Sequence, residues 1–359
     1  MKYLDMNTDD FSSEQIIDFK KYLSKIIKDA HNNSRHQKCL ICEKEGGFCN
    51  SHTIPQFCLK NIAWDGKLNS FNTLVDTALL PCDSGVNSAG TFHIICRQCD
   101  GTVFQDYENP NSYESDITPK MLNQIVLKNS LRDIYKHETE LEILDILLEF
   151  ARHNNPIGAI IYGAMFEAQK IARKVDIQEC YTIFNRAKDN LFSKKEWLKV
   201  ISYDKLDYVV PIAYQGMVAL ITGVNSEIIN DQFNYNKDYE VEYLQLAILP
   251  LKKSSIVVLF HDDAYKRHSK FDEYMKHSST AERLNIVNRI VFLYTEDYYL
   301  SKNLSMEVVD QLKTPAKIMQ DYVSMNPKRS QKNAVKDFDL RRDTGLPNIL
   351  LKEYAVTPE

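Results

Sequence analysis

The sequence predicts an α+β protein: a small cysteine-rich module followed by a mixed helical and antiparallel-sheet domain. Three observations carry that expectation. Seven of the eight cysteines fall between Cys39 and Cys99. Residues 131–192 carry apolar side chains at three- and four-residue steps, the period of a helix. Residues 207–261 switch to β-branched and aromatic runs broken by short polar turns, the signature of strands.

The elements follow in order. Asp9 or Ser12 can cap a helix over residues 9–30 whose Ile16, Phe19, Leu23 and Ile26 share one stripe. A polar stretch, 31–38, leads into the cysteine module. Helices are predicted around Leu131–Leu148, over 157–175 after Pro156, and over 177–192. Ser193 to Glu196 reads as a capping box for a short helix bearing Trp197. Residues 207–214 and 217–223 read as a hairpin turning at Gln215-Gly216, and 239–251 with 254–261 as a second pair turning at Lys252-Lys253. Helices resume over 274–300 and 305–323. The organisation expected is an N-terminal helix (1–30), the module (31–112), the larger domain (113–325) and a polar basic tail (326–359).

Composition narrows the function. A 44% hydrophobic fraction and 11% aromatics belong to a folded chain, and a net charge of −5 excludes a histone-like partner of nucleic acid. The acidic start lacks the apolar core of a signal peptide and no run is long enough for a membrane span, so a cytoplasmic protein without a membrane partner is expected. Thiols kept reduced there read as metal ligands before disulfides.

Cys39-Leu40-Ile41-Cys42 and Cys96-Arg97-Gln98-Cys99 are two C-x-x-C knuckles. Each turn can present two thiolates to one ion, and two knuckles complete a tetrahedral structural Zn²⁺ site. With β-like Thr91–Ile95 before the second knuckle and a helix-like 97–108 after it, the expected shape is a treble clef. Cys49, Cys58, Cys82 and Cys180 lack this spacing.

Between the knuckles stands Asn50-Ser51-His52-Thr53-Ile54-Pro55. Residues 36–108 resemble the HNH endonucleases, which place a His-x-x-Pro stretch between two such knuckles. That resemblance implies a ββα-metal fold and phosphodiester hydrolysis of DNA or RNA. It assigns His52 as general base and Asp100, which follows the last cysteine, as ligand of a catalytic Mg²⁺ or Mn²⁺. Ser51 replaces the usual metal-binding Asp or His, and Asn87 and His93 are the nearest substitutes for the middle Asn. Glu108 lies eight residues beyond Asp100 along the same helical stretch. Residues 50–302 also resemble an uncharacterised bacterial family opening on His-x-x-Pro-x-x-x-Leu (His52, Pro55, Leu59), with Leu220–Ser226, Leu249–Lys252 and Asn285–Arg289 in matching order. Relatives of both kinds imply a place in anti-phage defence, with a partner protein of that system. A non-catalytic zinc-stabilised binding component of a defence or toxin complex is the competing expectation.

Charge bears on both. Residues 31–110 hold six Lys and Arg against eight Asp and Glu, a poor surface for phosphate, whereas residues 313–342 hold eight against three. His261-Asp262-Asp263 at a strand end reads as turn chemistry.

Overall fold

The computed structural model describes residues 12–75, 83–154, 156–193, 196–231, 234, 236, 238–323, 331–342 and 345–358. The architecture is mixed α and β with antiparallel pairing throughout, as expected. Helix α1 (Ser13–Asn33) precedes the module, which contains β1 (Ser51–His52), α2 (Gln56–Ile62), β2 (Lys67–Ser70), α3 (Phe71–Val75), β3 (Asp83–Gly85), β4 (Thr91–Phe92), α4 (Arg97–Val103) and α5 (Gln105–Glu108). Two long helices follow, α6 (Pro119–Asn154) and α7 (Pro156–Asp189). The strands β5 (Leu198–Leu206), β6 (Ile212–Val218), β7 (Leu244–Pro250) and β8 (Ser255–Asp262) come next. The chain continues through α8 (Ser269–His277), α9 (Thr280–Tyr294), β9 (Tyr299–Leu300), α10 (Met306–Val323) and α11 (Gln331–Asp337).

Among the described residues seven strands form one sheet in the order β3-β2-β9-β6-β7-β8-β5, and β1 pairs with β4 separately. Its centre is buried on both faces. Along β8, Ile256, Val258 and Phe260 join the core shared with α6 and the module, while Val257 and Leu259 join the core under α8–α10. Alternation of side chains across a strand produces this division. Because both faces are covered, β7 and β8 read as continuous apolar runs.

The module is not set apart from the rest. β2 hydrogen-bonds to β9, so its strands extend the main sheet. Cys39, Ile54 and Phe92 share one apolar core with Leu127, Leu131 and Ala247. A two-residue turn launches β2: Trp64 and Lys67 pair, with Asp65 and Gly66 both at positive φ, the backbone a tight hairpin requires.

Several expected elements are corrected. The hairpin at Gln215-Gly216 is absent: β6 runs through both, with Gln215 opposite Ala247 and Gly216 opposite Leu246. Gly216 serves close packing, since an added Cβ would lie 2.6 Å from the Tyr214 hydroxyl. The helices expected over 157–175 and 177–192 are one, α7, opening on Pro156 at its first turn, where a missing N–H costs nothing. Trp197 lies in extended chain entering β5, because its indole N–H reaches Asn123 Oδ1 at 2.9 Å across the core; Lys194 and Lys195 of the expected capping box lie outside the described residues. The helix expected over 274–300 is divided. α8 ends at His277 with Ser278 as its cap, α9 starts from a capping box at Ser279 and Glu282, and Tyr299–Leu300 are a strand. In the first helix Ile26 and Ala30 pack on Ile143 and Leu147 of α6; Asp9 lies outside the described residues. In the tail, Ile349 and Leu350 are fully buried.

Candidate metal centre and catalytic cluster

The first knuckle is made by a tight return of the chain. The Cys39 amide donates to the Lys44 carbonyl at 2.9 Å, and Glu43 takes a positive φ to turn it. Gly46 and Gly47, at φ 71° and 70°, then carry the chain past Cys96, where the Arg97 amide binds the Gly47 carbonyl at 2.9 Å. Cys96 caps α4, its sulfur accepting from the Cys99 amide. Cys39, Cys42, Cys96 and Cys99 are thereby brought within 4.8 Å of one another, a group that could hold a metal ion such as zinc. A tetrahedral ion with Zn–S bonds of about 2.3 Å sets its sulfurs about 3.8 Å apart. The Cys42 and Cys96 sulfurs are 3.8 Å apart. Backbone N–H donors around Cys42, that of Lys44 first, draw its thiol down to about 7, whereas burial raises Cys39. Of the others, Cys58 is in the core, Cys180 is buried on α7 and Cys49 turns its thiol toward Asp100; Cys82 lies outside the described residues.

His52 sits on β1, held opposite Thr91 of β4. Its Nε2 is 3.0 Å from the Val86 carbonyl oxygen. A carbonyl can only accept, so Nε2 carries the proton and Nδ1 keeps the lone pair. Burial lowers the imidazole's pKa, against a raising contribution from the Val86 bond, and it is neutral at pH 7.

Asp100 lies on the first turn of α4. Ser51, fully buried in the position where the HNH resemblance expects a metal ligand, donates its hydroxyl to Asp100 Oδ1 at 2.5 Å. A residue not singled out from the sequence completes the group. Lys128 of α6, with no exposed surface, reaches Asp100 Oδ1 at 2.6 Å, Glu108 Oε1 at 2.9 Å and Ser51 Oγ at 2.8 Å. Its ammonium also lies 3.9 Å from the centre of the Phe104 ring. Burial works to raise the Asp100 carboxyl, but Lys128, Ser51 and Cys49 outweigh it and hold Asp100 below the usual range. Glu108 is shifted up by burial, which Lys128 offsets only in part.

The structure gathers Asp100 and Glu108 on Lys128, while His52, next to Ser51 on β1, turns its ring to the Val86 carbonyl on the other side of the strand. It does not bring in the substitutes for the middle Asn: Asn87 accepts from Gln56 on the surface, and the His93 ring packs edge-on against Tyr135. His261 is likewise spent, bound through Nε2 to Asp272 and stacked on His268. The sequence does not mark Lys128, which stands among Asn123, Gln124, Asn129 and Ser130; the structure buries Met121–Leu131 at every position. No family model, curated protein or solved structure matches the chain. No described helix is long and apolar enough to cross a membrane.

Proposed function

We propose that the chain is a metal-dependent nucleic-acid endonuclease of HNH type, with Cys39, Cys42, Cys96 and Cys99 holding a structural Zn²⁺. The observation that supports this reading is the pair of carboxylates, Asp100 and Glu108, gathered on Lys128 beside the knuckles, with the neutral His52 imidazole one residue along β1 from Ser51, which binds Asp100. His52 Nδ1 accepts the proton of a water whose oxygen attacks phosphorus, an imidazole with a pKa below neutrality being in its base form at pH 7. Asp100 and Glu108 are hard oxygen donors with 23% and 29% of their side chains exposed, and would hold a Mg²⁺ or Mn²⁺ supplying positive charge to the pentacovalent phosphate. Lys128 fixes both carboxylates from the core side, and Ser51 fixes Asp100. The P–O bond to the departing sugar oxygen breaks as that oxygen takes a proton from solvent water, and His52 returns its proton to solvent.

One observation favours a second reading. Lys128 already pairs with both carboxylates, as a bound cation would. If that ammonium replaces the divalent ion, the module is a zinc-stabilised binding component without hydrolytic activity. The two readings separate in one experiment. Purified protein is analysed for metal, then incubated with plasmid, single-stranded DNA and RNA in Mg²⁺ or Mn²⁺ beside His52→Ala and Asp100→Asn. The nuclease reading requires about one zinc per chain and cleavage lost in both variants. Cleavage surviving His52→Ala removes His52 from the chemistry. Intact substrate under every condition selects the binding reading.

A further inference from the structure

Helix α7 carries two seams, and only one of them meets the rest of the chain. On the inner side Phe166 packs against Leu144 and Leu148 of α6, and Cys180, Phe184 and Ala187 enter the core shared with the module. On the outer side Ala164, Ala168, Ile171 and Val175 are exposed, Ile171 to 65% and Val175 to 54%.

The outer residues follow one another by four, three and four positions. That is the a/d spacing of a coiled coil, which sets them in one stripe along the helix. In sequence the spacing extends back to Ile161 and Ile157, and forward it turns polar at Gln178 and Thr182. Apolar residues scattered singly on a surface need no partner. A repeat in this register is the pattern by which helices pair.

Charges flank the stripe. Glu167 and Lys174 immediately precede Ala168 and Val175, the position from which a coiled coil pairs charges across its seam. Both are exposed. Glu167 keeps 51% of its side chain in solvent, and Lys170, 3.6 Å from it, is committed to Asp145 of α6 at 2.6 Å. These two charges select an arrangement. In a two-fold pair of antiparallel α7 helices every contact occurs twice. With Ala168 of one copy against Ile171 of the other, Ala164 falls against Val175 and Glu167 against Lys174. A slip of one heptad would set Glu167 against its own mate. A parallel pair would set Glu167 against Ala172 and leave Lys174 to Glu179, whose carboxylate already accepts from the Tyr243 hydroxyl at 2.6 Å.

We propose that α7 docks antiparallel on α7 of a second copy of this chain, Ile171 and Val175 of each packing on Ala168 and Ala164 of the other, with Glu167 meeting Lys174 on both sides. Large side chains set on small ones let the seam interdigitate. The antiparallel sense also keeps the two bodies apart, since each is joined to α7 through Cys180, Phe184 and Ala187 at the far end of the helix. The seam from Ala164 to Val175 is roughly 16 Å long on each copy. That is short for a permanent dimer, and the association is reversible. The pairing is independent of the hydrolytic reading.

The test is sedimentation velocity on the full chain from micromolar to millimolar concentration. The wild-type chain should show a monomer–dimer equilibrium. Ile171→Glu with Val175→Glu should leave a monomer throughout. Glu167→Lys brings lysines together at two places and should weaken dimerisation at least tenfold. Glu167→Lys with Lys174→Glu reverses both pairs and should recover the affinity, which it would not do in a parallel dimer. The proposal is overturned by a monomer at every concentration, which leaves the seam to a different chain or to none. It is equally overturned by a dimer that survives Ile171→Glu with Val175→Glu, by one indifferent to Glu167→Lys, or by failure of the double charge reversal to restore what the single one removes. The substituted side chains are exposed, so the fold should tolerate them. If far-UV circular dichroism shows the Ile171→Glu, Val175→Glu chain misfolded, the charge series decides alone.

Discussion

Lys128 concentrates the energetics of the module in one residue. It is fully buried and answers two carboxylates at once, so its removal leaves them facing each other without a countercharge. Breaking a buried pair by deleting one partner costs about 3–5 kcal/mol, because the orphaned charge stays behind. Lys128→Met keeps the stem's volume and should lose stability by that amount in urea unfolding. Asp100→Asn with Glu108→Gln should recover part of it, since no unpaired charge then remains. The imidazoles act at the same scale with a definite sign. Burial lowers His268 to about 4, and lowers His31, His52 and His93 in the same direction. For such groups the unfolded chain takes the proton first, so stability is intact above pH 6.5 and falls as pH drops toward 4. His268 alone accounts for up to about 3 kcal/mol over that window, and His268→Phe should flatten the fall in Tm between pH 6.5 and 4. Asp133 has the opposite slope, since its raised carboxyl favours the folded state at low pH. On the nuclease reading, the acid limb of the cleavage rate falls below pH 6.5, the ordinary imidazole value, as a pH profile of cleavage would record.

At the scale of elements, capping chemistry decides boundaries that hydrophobic periodicity leaves open. Apolar residues at Tyr274-Met275 and again from Leu284 suggest one helix, although residues 276–280 between them are all polar. The division falls at Ser279 because its hydroxyl accepts from the Glu282 amide while Glu282 Oε2 accepts from the Ser279 amide at 2.8 Å. Ser279→Ala should therefore lower stability by about 1 kcal/mol without altering the fold, measurable as a shifted urea midpoint at constant slope. Gln215-Gly216 misleads in the other direction. The pair carries turn residues, but pairing with β7, Gln215 opposite Ala247 and Gly216 opposite Leu246, holds the segment extended. Pro156 likewise suggests a break yet opens α7. The two knuckles, their metal-ligand spacing and the Lys252-Lys253 turn were legible because each depends on residues close in sequence. Lys128 was not, since it meets Asp100 only after α6 folds back over the module.

The whole molecule decides how metal and fold are coupled. Composition shifts divide the chain into a module and a larger domain, but the divide is crossed by hydrogen bonds and by packing. β2 pairs with β9 from more than 200 residues away, and Cys39, Cys96 and Cys99 belong to the same apolar core as Leu131, Ala247 and Phe260. Sheet order and a shared core are long-range properties that no local pattern reports. On the zinc reading, an ion held by the four cysteines would have a consequence that a separate zinc domain would lack. Its binding free energy is folding free energy, and here it acts on the core that α6 and the sheet also use. Removing zinc with a chelator should lower the single heat-absorption peak of the whole chain. It should not split off a low-temperature transition of residues 31–112. Differential scanning calorimetry with and without chelator checks this. Two resolved peaks, with the larger one unmoved, would show that the module unfolds on its own despite the shared sheet.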